Sequence, residues 1–371
     1  MEPFDPERLT PNASLNRVVI NDLPGVALEP GVKGKRAYDL LAAGSIATAI
    51  HENTSSLGIH GAQEMTDGAL LRRFDHCFIA DDPSVRATAE GIARRFGRSL
   101  AYVILTLKRG DPVNRQERPD WDDSVWDFWT SRHRIRLGGG VLAGRLGPNL
   151  CDVARQTLHE HDMGGLALHL AEYPSLLPLI GVARRLPCEN GKGLVFDFGG
   201  SLVKRGVASF ADGRLVALRT LTPVPAPAII LEPGDAYTIE QAQTIGEAMV
   251  QVMADTCQSI RDDEVLLAPT FGVSVAAYVR DGRVLPRQFG TYATLYALPE
   301  RTDMWLAQQV GARLENKYRI DLIHDGTAAA QVYVGTPQSA VIMLGTALGV
   351  GFPPTNAQLR PINLTHVINP Y

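Results

Sequence analysis

The sequence predicts an α/β fold built in two lobes, and three observations point there. Apolar strand-like segments alternate with amphipathic helical ones along most of the chain, three predicted strand ends run straight into glycine-rich turns, and 371 residues are more than one ordinary core takes. At roughly 150 residues per domain the length corresponds to two or three domains.

Taken in order, residues 1–16 carry Pro3, Pro6 and Pro11 with little apolar periodicity and read as an exposed arm. The fold is expected to begin near Arg17, with 17–23 as a strand and 37–51 as a helix of small and apolar residues. Between Asp82 and Lys108 the positions Val85, Ala89, Ile92, Phe96, Leu100, Val103 and Leu107 step by three and four. Asp82 is placed as N-cap and Pro83 as first helical residue, which makes this the best-marked helix of the chain. Residues 110–130 break the period and hold Trp121, Trp126 and Trp129; the segment is expected to be an inserted loop pinned to the body by its tryptophans. The segment RHRIRL then leads into Gly138-Gly139-Gly140, followed by a helix over 148–159, a strand over 166–170 and a helix over 174–186.

Residues 187–193 read as a polar linker, and a second lobe is expected from Leu194. Its strands are placed at 194–197, 214–220, 264–268, 320–323 and 340–344, with helices at 239–260 and 302–318. The uncharged stretch 331–359 is interrupted by Gly335, Gly345, Gly349, Gly351 and Pro353-Pro354, so it reads as buried strand plus glycine loop rather than a membrane span.

Composition narrows the function classes. Lys+Arg 36 against Asp+Glu 40 gives a net charge of -4, so no basic field gathers nucleic acid or anionic lipid. The four cysteines lie far apart with no CxxC pair, which argues against a structural zinc or a disulfide framework and fits a reducing, cytoplasmic setting. The N-terminus is acidic and proline-broken, unlike a signal peptide. The run His159-Glu160-His161-Asp162 reads as a solvated helix end, since histidines two apart point to different sides.

Four motifs carry chemistry. In Val195–Ala208 a carboxylate, Asp197, ends a strand and is followed by Gly199, Gly200 and Ser201, a turn whose amides can approach a phosphate while the Asp holds Mg²⁺ through water. Leu344-Gly345-Thr346-Ala347 is a second strand-to-glycine turn suited to phosphate, and Gly138-Gly139-Gly140 is a third, whose bare backbone can lie against an adenine or ribose. In His324-Asp325-Gly326-Thr327 a carboxylate stands at a strand end before a helix of small residues, where it can serve as general base or simply as N-cap.

Together these motifs resemble the actin-like ATPase and sugar-kinase superfamily, with its ribonuclease H-like lobes, and within it the ROK family of sugar kinases and repressors. That family's Asp-x-Gly-Gly-Thr, Leu-Gly-Thr-Gly, Gly-Gly-Gly and Asn-Asp-Ala-Asn segments have their counterparts at Asp197–Ser201, Leu344–Ala347, Gly138–Gly140 and His324–Thr327. The order differs: placing 194–371 ahead of 17–186 restores the family's sequence, so the resemblance implies a circular permutation. Seven residues, 187–193, span up to roughly 25 Å and suffice to join the old ends. The implied division is an arm (1–16), a large lobe with the adenosine motif (17–171), a returning helix (172–186), a linker (187–193), a small lobe with the first phosphate loop and base (194–333), and the second phosphate segment of the large lobe (334–371).

The resemblance implies an ATP-dependent kinase acting on a hydroxyl of a sugar or polyol. Asp325 is the expected base, and Asp325 with His324 is expected to touch the acceptor. Asp197 orients Mg²⁺ through water; Gly199, Gly200, Ser201, Lys204, Gly345 and Thr346 hold phosphates; Gly138, Gly139 and Gly140 border the adenosine. ATP and Mg²⁺ are the implied cofactors, without structural zinc, nucleic acid or membrane, and a homodimer is compatible with it. Departures are specific: the zinc cluster and the Glu-x-Gly-His sugar motif are absent, Leu202 stands where a Lys is usual with Lys204 as substitute, Ala347 replaces a glycine, and His324 replaces an Asn. They leave open a nucleotide- or sugar-binding sensor of the same fold, and an ATPase driving a partner. No helix-turn-helix segment occurs in 1–35, against the repressor branch.

Overall fold

The computed structural model describes residues 4–229, 236–261, 267–362 and 367–368. Its main elements, in chain order, are α1 (Pro83–Arg109), β1 (Arg134–Gly138), α2 (Leu146–Glu160), β2 (Ala167–Leu170), α3 (Leu177–Arg185), β3 (Gly191–Phe198), β4 (Leu202–Ala211), β5 (Arg214–Pro225), α4 (Ile239–Arg261), β6 (Thr270–Val275), α5 (Thr302–Leu314), β7 (Arg319–His324), α6 (Asp325–Gln331), β8 (Ser339–Leu344), β9 (Leu348–Gly351) and β10 (Val367–Ile368). The fold is mixed α/β. The chain forms two compact units, the first from Asn12–Ser175 with Pro337–Val350, the second from Asp5–Pro11 and Leu176–Thr336 with the chain from Gly351 onward.

In the first unit the strands lie in the order β9-β8-β1-β2, with β8, β1 and β2 parallel. Helix α1 starts as its sequence dictates: Asp82 accepts from the Ser84 amide, Pro83 occupies the first turn, and Gly110 closes the helix in the left-handed region at φ 53°. Of its predicted positions, Ala89, Ile92, Phe96, Leu100, Val103 and Leu107 are buried, and Val85 is half-buried. Gly97 lets α2 come close, since a Cβ there would lie 2.8 Å from the Leu150 carbonyl.

Two expectations for this unit are corrected. The 17–23 strand shrinks to Val19–Ile20, paired with Lys35–Arg36. The arm is exposed only in part: Glu7, Arg8 and Asn12 are exposed, whereas Ala13 and Leu15 are buried and Asn16 exchanges two hydrogen bonds with the Leu348 backbone. What ties 12–14 down is the insertion itself, where buried Arg118 donates to the Asn12 and Ser14 carbonyls and Trp121 Nε1 to the Asn12 carbonyl. Within that insertion Asp123–Thr130 is a helix, Trp121, Trp126 and Trp129 are buried, and the buried ammonium of Lys108 caps its C-terminal carbonyls.

The second unit is built on six strands in the order β7-β6-β3-β4-β5-β10. Strands β3, β6 and β7 run parallel, β4 is antiparallel to both β3 and β5, and the β4–β5 turn is the predicted Asp212-Gly213, both with positive φ (50° and 69°). Strand β3 already begins at Gly191, so the last three residues of the expected linker are sheet. The expected strand 264–268 falls largely outside the described residues; the described strand is Thr270–Val275. A core of Phe196, Phe198, Phe271, Val273, Met249 and Met253 joins β3, β6 and α4.

The run Gly326-Thr327-Ala328-Ala329-Ala330 has a packing reason. A Cβ on Gly181 of α3 would lie 1.8 Å from the Ala328 carbonyl, and one on Gly351 would lie 1.8 Å from the Gly326 carbonyl. Only small residues let these backbones meet. No described helix is long and apolar enough to cross a membrane.

Candidate active site

The carboxyl ends of β3, β6 and β7 bring Asp197, Ser274 and His324-Asp325 to one edge of the second sheet, because Asp197 pairs with Ser274 and Val275 with His324 in register. Strand ends of a parallel sheet are where such folds hold ligands. Asp197 is almost fully buried, and a buried carboxylate needs partners. It has two: Lys204, opposite it on β4, donates from Nζ to Oδ2 at 3.0 Å, and Ser274 donates from Oγ to Oδ1 at 2.9 Å.

Asp325 is held differently. Its Oδ1 accepts from the Gly326 amide at 2.6 Å, and 27% of its side chain stays accessible. Burial among neighbouring groups pushes its pKa up to about 7, with the Asp197 charge adding to the rise and the Gly326 amide and Lys204 opposing it. The edge therefore carries two carboxylates of unlike character. One is compensated by an ammonium; the other is poised to exchange a proton near neutrality.

Of the two readings of Asp325, the capping one is removed. The cap of α6 is His324, whose Nδ1 accepts from the Thr327 amide at 3.2 Å and lies 3.1 Å from Thr327 Oγ1. Since Nδ1 accepts, Nε2 carries the proton, and it lies 3.1 Å from Asp325 Oδ1. The ring is buried and stacks on Tyr278 at 4.4 Å, and burial drives its pKa down to about 3, so it is neutral. His324 was expected to touch an acceptor; its ring is buried, committed to Thr327 and stacked on Tyr278, with Nε2 3.1 Å from Asp325 Oδ1.

The first glycine turn opens from the same edge. The Gly199 amide donates to the Leu202 carbonyl at 3.2 Å, and the Gly199 carbonyl accepts from the Tyr292 hydroxyl at 3.3 Å. Burial and the Asp197 charge both raise the Tyr292 pKa, which keeps it a donor. Gly200 and Ser201 are exposed. Ser274, Tyr278 and Tyr292 were absent from the sequence reading. A serine inside the apolar run Phe271-Gly272-Val273-Ser274-Val275 was the one available signal, since a polar residue in a buried strand needs a partner.

In the first unit, Gly138–Gly140 and Gly345-Thr346 meet at the ends of neighbouring strands, Gly138 pairing with Met343. Gly139 (φ 101°) is a close-packing glycine, since a Cβ there would lie 2.0 Å from the Leu344 carbonyl. Gly140 has open space around it, a Cβ on Gly345 would touch the Ala347 carbonyl at 3.6 Å, and the Gly345 carbonyl accepts from the Ala43 amide. The N-terminus of α2 is taken: Asp75 accepts from the Leu146 amide at 3.2 Å and pairs with Arg145.

A Mg²⁺ ion fits Asp197 only in part. Among the described residues no group of three or more His, Cys, Asp or Glu could enclose a metal. Mg²⁺, however, keeps most of its waters and needs only one or two carboxylates beside substrate phosphates, and Asp197 retains lone pairs beyond those given to Lys204 and Ser274. No protein-family model matches the chain, and no curated protein matches it.

Proposed function

We propose that the protein is an ATP-dependent phosphotransferase acting on a hydroxyl of a sugar or sugar-like polyol, with the two-lobed, circularly permuted actin-like fold that its motifs resemble. The observation that carries the reading is the pair of unlike carboxylates at one strand edge, Asp197 with its ammonium and Asp325 with its pKa at about 7. In support, the second unit's sheet starts with the strand that bears Asp197, and all four motifs sit at the ends of strands that run parallel to a neighbour.

In this mechanism Asp325, kept in place by His324 and the Gly326 amide, takes the proton of the acceptor hydroxyl. The freed oxygen bonds to the terminal phosphorus of ATP as the bridging bond to ADP breaks; the proton ends on Asp325 and the electron pair on ADP. Lys204 and the exposed Gly200-Ser201 turn offer positive charge and amides to phosphate oxygens. When bound, Mg²⁺, held by Asp197 through water, neutralises phosphate charge. In the first unit the Asp75 carboxylate already occupies the α2 N-terminus, which favours a neutral adenosine over a phosphate beside Gly138–Gly140.

One observation favours a second reading, a nucleotide- or sugar-binding sensor without efficient transfer: Lys204 already neutralises Asp197, so a metal must share that carboxylate with an ammonium. The test is ADP release from Mg·ATP across a panel of neutral polyols, with and without Asp325→Asn. Acceptor-stimulated release that falls by a factor of about 10² to 10⁴ in the variant supports the kinase. Nucleotide binding without acceptor-stimulated release supports the sensor, and release unaffected by Asp325→Asn removes the base assignment.

A further inference from the structure

The four-stranded sheet of the first unit gathers cations on one face. Arg134 and Arg136 stand two apart on β1 and so share a face, and parallel pairing sets Arg136 beside His169 of β2 and Arg134 beside Ala167. The opposite face, with Ile135, Leu137 and Leu168, is buried. On the cationic face burial fades from β8 towards β2: Ser339 and Val341, the β8 partners of Arg134 and Arg136, are buried, the two arginines are half-buried, and His169 is exposed.

Charge on this face is one-sided. Partial burial, then the charges of Arg136, Arg155 and Arg134, hold His169 below the usual histidine range, and no carboxylate among the described residues acts on it. Arg155 reaches the sheet from α2, donating from Nε to the Leu168 carbonyl at 2.8 Å and pairing with Asp152. Arg136 is engaged within the protein and contributes its charge. The side chains of Arg134 and His169, in contrast, have no hydrogen bond or ion pair among the described residues. Like charges on neighbouring strands cost stability, and in a chain of net charge -4 this face keeps three guanidiniums around one imidazole. A bound anion removes that cost.

We infer that this face binds a phosphate group, free or carried by a small phosphorylated molecule, held by Arg134 and His169 within the field of Arg136 and Arg155. Neighbouring strands lie about 4.8 Å apart and residues two apart on a strand about 7 Å, so these side chains root within reach of one phosphate-sized group. The planar guanidinium fork and an imidazole N–H match its oxygens. Arg134 lies at the opposite end of β1 from Gly138, roughly 13 Å away along the strand, so the site is separate from the glycine turn. The inference does not rest on the phosphotransferase reading.

The experiment is calorimetric titration of the full chain with inorganic phosphate, glucose 6-phosphate, acetate and a short single-stranded oligonucleotide. It is run at about 0.15 M salt, where the Debye length is about 8 Å and diffuse attraction is screened. The wild type is expected to bind phosphate or glucose 6-phosphate; tighter binding of the ester makes the ligand an organic phosphate, equal binding makes it phosphate itself. Arg134→Gln is expected to weaken that binding about tenfold or more, and Arg134→Lys, which keeps the charge without the fork, by less. Gly140→Val, at the other end of β1, leaves it unchanged. In phosphate-free buffer Arg134→Gln is expected to melt at or above the wild-type temperature, because it relieves like-charge repulsion, while added phosphate raises the wild-type value. No binding of either phosphate, equal binding of acetate, binding of the oligonucleotide alone, or unchanged binding in Arg134→Gln overturns the inference. So does a marked fall in the melting temperature of Arg134→Gln, which would mean that its guanidinium is paired within the protein. Loss of phosphate binding in a folded Gly140→Val places the phosphate at the glycine turn, overturning this site while leaving the nucleotide reading intact.

Discussion

The glycine turns of the first unit and the carboxylate edge of the second both sit at carboxyl ends of parallel strands, yet they are made of different materials. At Gly138–Gly140 and Gly345 the chemistry is backbone, and part of the glycine requirement is internal, since Gly139 meets the Leu344 carbonyl. At Asp197, Lys204, Ser274 and Asp325 the chemistry is side chain, and each group's state is set by its neighbours. The difference teaches how to read such motifs. A glycine after a strand has to be asked whether a Cβ would strike the protein or open space, and a carboxylate has to be asked whether it is already compensated.

The comparison breaks most visibly at Gly139. Gly139→Ala places a Cβ 2.0 Å from a backbone oxygen at φ 101°, with no flexible side chain to yield. The expected loss exceeds about 4 kcal/mol, in the range reserved for overpacking combined with backbone strain. Chemical denaturation of the variant measures it; a loss below about 1 kcal/mol would show that the β1–β8 junction is looser than the packing of Gly139 requires.

A smaller effect sharpens the side-chain half. Asp325 has a folded pKa of about 7 against the ordinary aspartate value of 3.8, so between those values the native state binds more protons than the unfolded chain. Its contribution to stability is therefore fully present below about pH 4 and is lost as the pH rises through about 7. Asp325→Asn removes that dependence. With a quarter of the side chain accessible, the variant is expected to be more stable than wild type by on the order of 2 kcal/mol at pH 8, and by little at pH 4. Melting temperatures across that range decide it: a gap that does not grow with pH means that Asp325 titrates as an ordinary surface carboxylate. Turnover of the wild type, by the same proton, is expected to climb as the pH rises through about 7.

How much of this was legible beforehand follows from the range of each interaction. Helix α1 and the Asp212-Gly213 hairpin are local, so the cap, the proline and the two-residue turn announce them. Asp197 and Asp325 are recognisable as carboxylates at strand ends. Ser274 was not, because it reaches Asp197 only through sheet pairing across 77 residues. The arm misled for the same reason: its prolines are local, while Arg118 and Trp121, which hold it, lie more than 100 residues away. His324 shows a conflict between local rules. Aspartate is the better N-cap by propensity, yet the strand ends one residue earlier and the buried imidazole takes the cap, leaving the carboxylate available.

The smallest structural effect is expected at Gly140, and its smallness makes it the cleanest test of the backbone half. Nothing lies within 4 Å of where a Cβ would be, and the residue is exposed. Gly140→Ala is therefore expected to change stability by no more than about 0.5 kcal/mol, the scale of surface substitutions, unlike its neighbour Gly139. Open space beside bare backbone is also what a flat base or ribose would fill, so the same methyl group is expected to weaken ATP binding, and Gly140→Val, with its bulkier branched side chain, to weaken it further. Calorimetric titration of ATP against both variants, with denaturation curves confirming intact folding, reads the two effects apart. If both variants fold normally and ATP binds each as tightly as wild type, the Gly138–Gly140 turn does not contact nucleotide. Its glycines then reduce to the single packing requirement at Gly139, and the adenosine assignment falls while the carboxylate edge of the second unit is untouched.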